Sequence, residues 1–119
     1  MIVSTISNIS NNVSKAQKLN TRPDDVSKLT YEHAISAIEV ADDYVSGKID
    51  GDTAKEKLLN IELLINEEEG YSGDSSVVSV FTLLKYSIES HIRGGGTYQD
   101  IEEHRNLLAK NINYSEEEY

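Results

Sequence analysis

Acidic side chains placed next to tyrosines are the main chemistry this sequence offers. Glu67, Glu68 and Glu69 are consecutive and are followed by Tyr71 and Asp74; Asp42 and Asp43 precede Tyr44, with Asp50 and Asp52 shortly after. Carboxylates steer a cationic protein toward a docking site, and a tyrosine beside them is a favoured interface anchor. The runs at 42–43 and 67–69 also fall where amphipathic helices should be ending. A helix C-terminus already carries about half a negative charge, so an acid there loses about 0.3–1 kcal/mol where Lys or Arg would gain it. In a chain of formal net charge −10, acids kept where the helices disfavour them point to a basic partner outside the fold. The partner-binding residues expected on this ground are Asp42, Asp43, Tyr44, Asp50, Asp52, Glu67, Glu68, Glu69, Tyr71 and Asp74. Tyr114 and Tyr119, which also lie among acids, are further interface candidates, whereas Tyr31 and Tyr98 read as core-facing residues in the first turns of helices.

Other chemistries are poorly served. Asp50-Gly51-Asp52 matches the opening of a calcium loop, but the fifth, sixth and twelfth positions, which want an acid, glycine and glutamate, hold Ala54, Lys55 and Ile61. Turn formation and helix capping is the expected role. His33, His91 and His104 have neither the i, i+4 spacing nor the Glu-x-x-His spacing of helical metal sites, so no metal is expected. No nucleophile elbow or phosphate-binding loop accompanies them, which argues against an enzyme and against a bound cofactor. Gly94-Gly95-Gly96 lacks the lysine of a phosphate loop and reads as the cap and hinge at the end of a helix.

Composition narrows the class further. A chain of 119 residues is expected to form one domain, burying roughly 65% of the surface it exposes when unfolded. Cysteine is absent, which excludes disulfides and thiolate metal sites. The start, Met1-Ile2-Val3, turns polar at once and does not read as a secretory signal, so a cytoplasmic location is expected. The longest mainly apolar stretch, Val77 to Leu84, is far short of the ~20 residues that span a bilayer. Residues 1 to 29 carry Lys15, Lys18, Arg22 and Lys28 against Asp24 and Asp25, a net +2, which leaves −12 for residues 30 to 119. Such a body repels phosphate backbones and anionic lipid, so neither direct nucleic-acid binding nor membrane binding is expected.

These residues must be positioned by helices. Ile2, Ile6, Ile9, Val13 and Ala16 repeat at intervals of four, three, four and three, which predicts a first amphipathic helix over residues 1–20, ended before Pro23. Thr30 is the expected N-cap of a second helix bearing Tyr31, Ala34, Ile35, Ile38, Ala41 and Val45, ended by Gly47. After a tight reversal, Asp50 or Asp52 caps a third helix with the stripe Ala54, Leu58, Ile61 and Ile65, broadened by Leu59 and Leu64. Gly70 to Asp74 is the next loop. Ser75 to Ile92 has strand-like valines, but Val77, Phe81, Leu84, Ile88 and His91 recur at helical spacing. Thr97 with Asp100 then opens a last helix carrying Tyr98, Ile101, Leu108 and Ile112, and residues 114–119 form an acidic tail. The expected architecture is all-α, a single-domain up-and-down bundle of about five helices.

A short, cysteine-free, strongly negative helical chain in which Asp42-Asp43-Tyr44 leads into Gly47-Lys48-Ile49-Asp50 resembles the small acidic all-helical immunity proteins with which bacteria neutralise toxins. The passage is similar to ones in the colicin and contact-dependent-inhibition types. Tyr71-Ser72-Gly73-Asp74 is similar to the Ser-Gly-Ser-Asp loop of the colicin DNase immunity group, without the Tyr-Tyr-Pro that follows it there. The resemblance covers about a quarter of the chain. It implies a cytoplasmic inhibitor whose second-helix and loop acids occlude the basic substrate surface of a toxin, a nuclease domain above all. Two alternatives stand beside it: a phage-type antagonist of a host nucleic-acid-binding or defence protein, which would use the same acids, and a structural or regulatory helical module that associates weakly with itself through the narrow apolar stripe of its first helix.

Overall fold

The computed structural model describes residues 22–69 and 76–114. The expected helix over residues 1–20, the loop holding Tyr71 and Asp74, and the tail beyond Tyr114 lie outside these residues. Four helices make up the described part: α1 (Lys28–Ser46), α2 (Gly51–Glu69), α3 (Ser76–Ile92) and α4 (Tyr98–Asn111). Among the described residues there is no strand.

α1 begins earlier than its apolar stripe suggests. Ser27, not Thr30, is the N-cap: its backbone is extended and its Oγ accepts the Thr30 N–H at 3.1 Å. Both residues are good caps, but Thr30 is fully buried and its hydroxyl is used elsewhere. Gly47 ends the helix at φ 84°, a left-handed conformation that costs a side-chain-bearing residue about 1–2 kcal/mol.

Asp50 caps α2, its Oδ1 accepting the Thr53 N–H at 2.8 Å. The strict stripe of that helix, Ala54, Leu58, Ile61 and Ile65, is buried, whereas Leu59 and Leu64 are exposed and do not broaden it. In α3 the helical spacing prevails over the β-branched composition because Val77, Phe81, Leu84 and Ile88 can then be buried together. Gly94 follows at φ 86°, and Gly96 lies so close to the end of α3 that a Cβ would stand 3.1 Å from that of Ser90. Thr97 caps α4 as the sequence indicates, its Oγ1 accepting the Asp100 N–H at 3.1 Å.

Side-chain ties fix the directions of the helices. Thr30 near the start of α1 meets Glu69 at the end of α2. Glu62 of α2 meets Lys85 of α3 at 3.3 Å. Ser87 of α3 is hydrogen-bonded to His104 of α4, and Asp42 of α1 to Arg105 of α4. Consecutive helices are therefore antiparallel, α4 closes back on α1, and α1 touches α3 across the core. Phe81, Ile38, Leu58, Leu84, Ile88, Ile101 and Leu108 fill the centre, each essentially sealed from solvent. Burial of side chains of this size contributes about 1.5–3 kcal/mol apiece. The bundle thus has two chemically distinct ends. One joins the end of α1, the start of α2, the end of α3 and the start of α4; the other joins the start of α1 to the end of α2.

Candidate functional site

The first of these ends brings together most of the described acid and tyrosine candidates. Tyr44, in the last turn of α1, is half-buried, and its hydroxyl lies 2.6 Å from His91 Nδ1 in the last turn of α3. With the imidazole proton on Nε2, the hydroxyl donates that bond. The Tyr44 and His91 rings meet edge to face with centroids 5.5 Å apart. Tyr98, at the first position of α4, lies over His91 at 4.1 Å with the planes 31° apart. Burial, and secondarily the nearby Tyr98, raises the Tyr44 pKa above its ordinary value.

Beside this cluster a groove of about 770 Å³ runs between α1 and α4. Val45 and Tyr98 line it and remain 40% and 51% exposed. Asp42, Glu102 and Arg105 supply its charge. Arg105 forks onto Asp42, Nε to Oδ1 and Nη2 to Oδ2, each at 3.0 Å, while Nη1 reaches Asn106 Oδ1. The sequence indicates Tyr98 as a core residue; the structure corrects this, because position 98 starts the helix at the bundle's end, where the ring packs against His91 and Tyr44 and borders the groove with half of its surface exposed.

The other acids at this end are placed separately. Asp43 is half-buried on the α2 side of α1, near Lys57, and its backbone carbonyl accepts from the Lys48 N–H at 2.8 Å. Asp50 is exposed, and hydrogen bonds from the Thr53 backbone, then from the Thr53 side chain, hold its pKa below the ordinary carboxylate value. Asp52 is exposed in the first turn of α2. There it favours the helix dipole, so its position needs no external partner.

Glu67, Glu68 and Glu69 lie at the opposite end, so they form no single surface with Asp42 and Asp43. Glu67 and Glu68 are exposed. Glu69 is half-buried and accepts the Thr30 hydroxyl hydrogen bond at 2.6 Å. Two acids expected to face a partner, Asp42 and Glu69, are thus already engaged by the fold, and Tyr44 is tied to His91.

Sequence reading passed over Arg105 and His91 as partners of these residues. A signal was present for Arg105: it falls in register with Ile101, Leu108 and Ile112, and a cation on an apolar stripe requires an acid across from it. His104 makes a separate contact in the α3–α4 seam, with the buried Ser87, whose hydroxyl also donates to the Leu83 carbonyl at 3.0 Å. Among the described residues no cluster of three His, Cys, Asp or Glu could hold a metal ion, and no helix is long and apolar enough to cross a membrane.

The chain matches no protein-family model, no curated protein and no solved structure.

Proposed function

We propose that this chain is an acidic inhibitor that binds a basic protein, in the manner of an immunity protein occluding the substrate surface of a toxin such as a nuclease domain. The observation that carries the reading is the groove between α1 and α4, where exposed Tyr98 and Val45 lie beside Glu102 and the Asp42–Arg105 pair. Apolar anchors with acids around them suit a partner that brings cationic side chains and needs one buried contact to stay bound. Asp43, Asp50 and Asp52 at the same end add to the negative field that a basic partner meets on approach. No catalytic step is assigned to the chain.

The test is capture of partners from the native host, followed by assay of the captured protein. A basic partner whose nucleic-acid-cleaving or nucleic-acid-binding activity is lost on adding one equivalent of this chain supports the reading. A partner that is not basic, or one that keeps full activity when saturated, overturns it.

Self-association is favoured by a different observation. Leu59 and Leu63, one turn apart on α2, are 52% and 53% exposed, and sedimentation at several concentrations reports whether that pair is covered by a second copy.

A further inference from the structure

Charge in the α1–α4 groove does not cancel. Of the residues that line it, Asp42, Glu102 and Arg105 are charged, and the Arg105 guanidinium is already bound to both oxygens of Asp42. Glu102 is left as an exposed carboxylate with no ion pair among the described residues. It stands one helical turn after Tyr98, whose ring is half exposed, and one turn before Arg105. Residues three and four apart on a helix share a face, with about 5–6 Å between their Cβ atoms, so the carboxylate and the ring border the same stretch of groove. Val45 adds half-covered apolar surface from α1.

We propose that this stretch receives an arginine side chain from the surface of a basic protein partner, the guanidinium lying against Tyr98 and pairing with Glu102 while the methylene stem rests on Val45. Taking the arginine from a protein rests on the inhibitor reading; the guanidinium chemistry rests on the groove alone. A planar guanidinium stacks on an aromatic face and forks onto two carboxylate oxygens at once, which a lysine ammonium does not. It is also the more weakly hydrated of the two cations, so it loses less on leaving water for a groove walled by Val45 and Tyr98. The receiving ring is positioned in advance, with His91 at 4.1 Å and Tyr44 at 6.4 Å between ring centroids. Asp42 offsets the one cation already present, so Arg105 does not bar a second. The chain itself holds a guanidinium in this seam by the same chemistry: Arg105 is largely buried with its fork closed on Asp42.

The test is an amide-shift titration of the whole chain at constant ionic strength. The probes are arginine capped as its N-acetyl N-methylamide, lysine and citrulline capped in the same way, and uncapped arginine. The expected result is saturable shifts at Val45, Tyr98 and Glu102 with capped arginine, at least about three-fold tighter than with capped lysine, and none with citrulline. Glu102→Gln should weaken capped arginine by about five-fold. Tyr98→Leu should remove the preference for arginine over lysine and Tyr98→Phe should keep it, with the helical spectrum unchanged in all three variants.

Equal binding of arginine and lysine, shifts centred on Asp43, Asp50 and Asp52, or indifference to Glu102→Gln overturns the proposal. Uncapped arginine binding more tightly than the capped form also overturns it, by assigning the groove to a free amino acid. Any of these failures leaves the inhibitor reading standing, because a basic partner can be inhibited through lysines or another surface. Conversely, failure to capture an inhibited partner leaves the guanidinium binding as measured.

Discussion

Arg105 grips both carboxylate oxygens of Asp42 from the neighbouring helix, with the guanidinium side chain 15% exposed and the carboxylate side chain 45% exposed. The pair closes the bundle between its first and last described helices. An acid near the end of α1, which the helix dipole disfavours, is thus compensated inside the molecule before any partner arrives.

The first prediction concerns that compensation. Arg105→Lys keeps the charge but cannot fork, and Asp42→Asn keeps the shape but loses the charge. Each should destabilise the fold by about 1–2 kcal/mol, the range of charge-assisted hydrogen bonds reduced for partial exposure. Chemical denaturation of the two single variants and the double variant gives the coupling energy. A coupling of zero would show that the geometry contributes nothing to stability.

The second prediction separates three adjacent acids. Glu67 and Glu68 are exposed at the C-terminus of α2, so Glu→Gln at either should stabilise by about 0.3–1 kcal/mol. Glu69 accepts the hydroxyl of the fully buried Thr30. Glu69→Gln and Thr30→Val should therefore destabilise, by about 1–2 kcal/mol for the lost charge-assisted bond. Thermal melts of the four variants check this, and the same sign for Glu67→Gln and Glu69→Gln would contradict it.

The helices were legible because their stripes are regular: Ala34, Ile38, Ala54, Leu58, Ile61, Ile65, Phe81, Leu84, Ile88 and Ile101 all carry the period and are all buried. The turns were legible at Gly47, Asp50 and Thr97, where side chain and backbone geometry leave few alternatives. What one-dimensional reading missed are relations across the bundle. Asp42, Tyr44 and Glu69 look exposed from their own helices, and only the neighbours Arg105, His91 and Thr30 show them to be engaged. Their distance in sequence hides the pairing; helix propensity and stripe period carry no information about which flank a neighbour covers.

The third prediction is a pair of pH dependences. The folded Asp50 carboxyl has a lowered pKa, so its contribution is present above the unfolded value of about 3.9 and is lost as pH falls through the folded one. Asp50→Asn still caps the helix but does not titrate. Below about pH 4 the original chain should lose stability relative to this variant, whereas well above that pH the difference should be constant. Urea midpoints at a series of pH values read the crossover.

Tyr44 gives the opposite sign. Its pKa is raised, so the stabilisation from the neutral hydroxyl is fully present below about pH 10 and lost as pH rises through the folded value. Tyr44→Phe should cost about 0.5–1.5 kcal/mol at neutral pH for the bond to His91 and should remove this alkaline dependence. An unchanged alkaline limb in the variant would place the titration elsewhere.

The last prediction concerns the proposed inhibitor and divides the site residues by what the fold already uses. Asp43, Asp52 and Glu102 lie at the groove end without a side-chain ion pair among the described residues; neutralising Asp43 or Glu102 should leave stability within about 0.5 kcal/mol, and neutralising Asp52 should cost about 0.3–1 kcal/mol because it sits in the first turn of α2. Their effect should appear in association with the basic partner: slower on-rates, and a weaker fall of the on-rate with ionic strength, because exposed charges act over a screening length of about 8 Å at physiological salt. Asp42→Asn should differ in also destabilising the chain; it slows association as well, because it leaves the Arg105 cation uncompensated beside the groove. Tyr98 is the groove's exposed aromatic, and Tyr98→Ala should act on the off-rate by about 2 kcal/mol or more if the ring is buried by the partner. Part of that loss could arise from freeing His91, so His91→Ala is the control that isolates it. Stopped-flow association from low to high salt, with dissociation measured by displacement, reads both rates. An on-rate indifferent to salt and to these acids, together with an off-rate that Tyr98→Ala changes no more than His91→Ala does, would remove the groove from the binding surface.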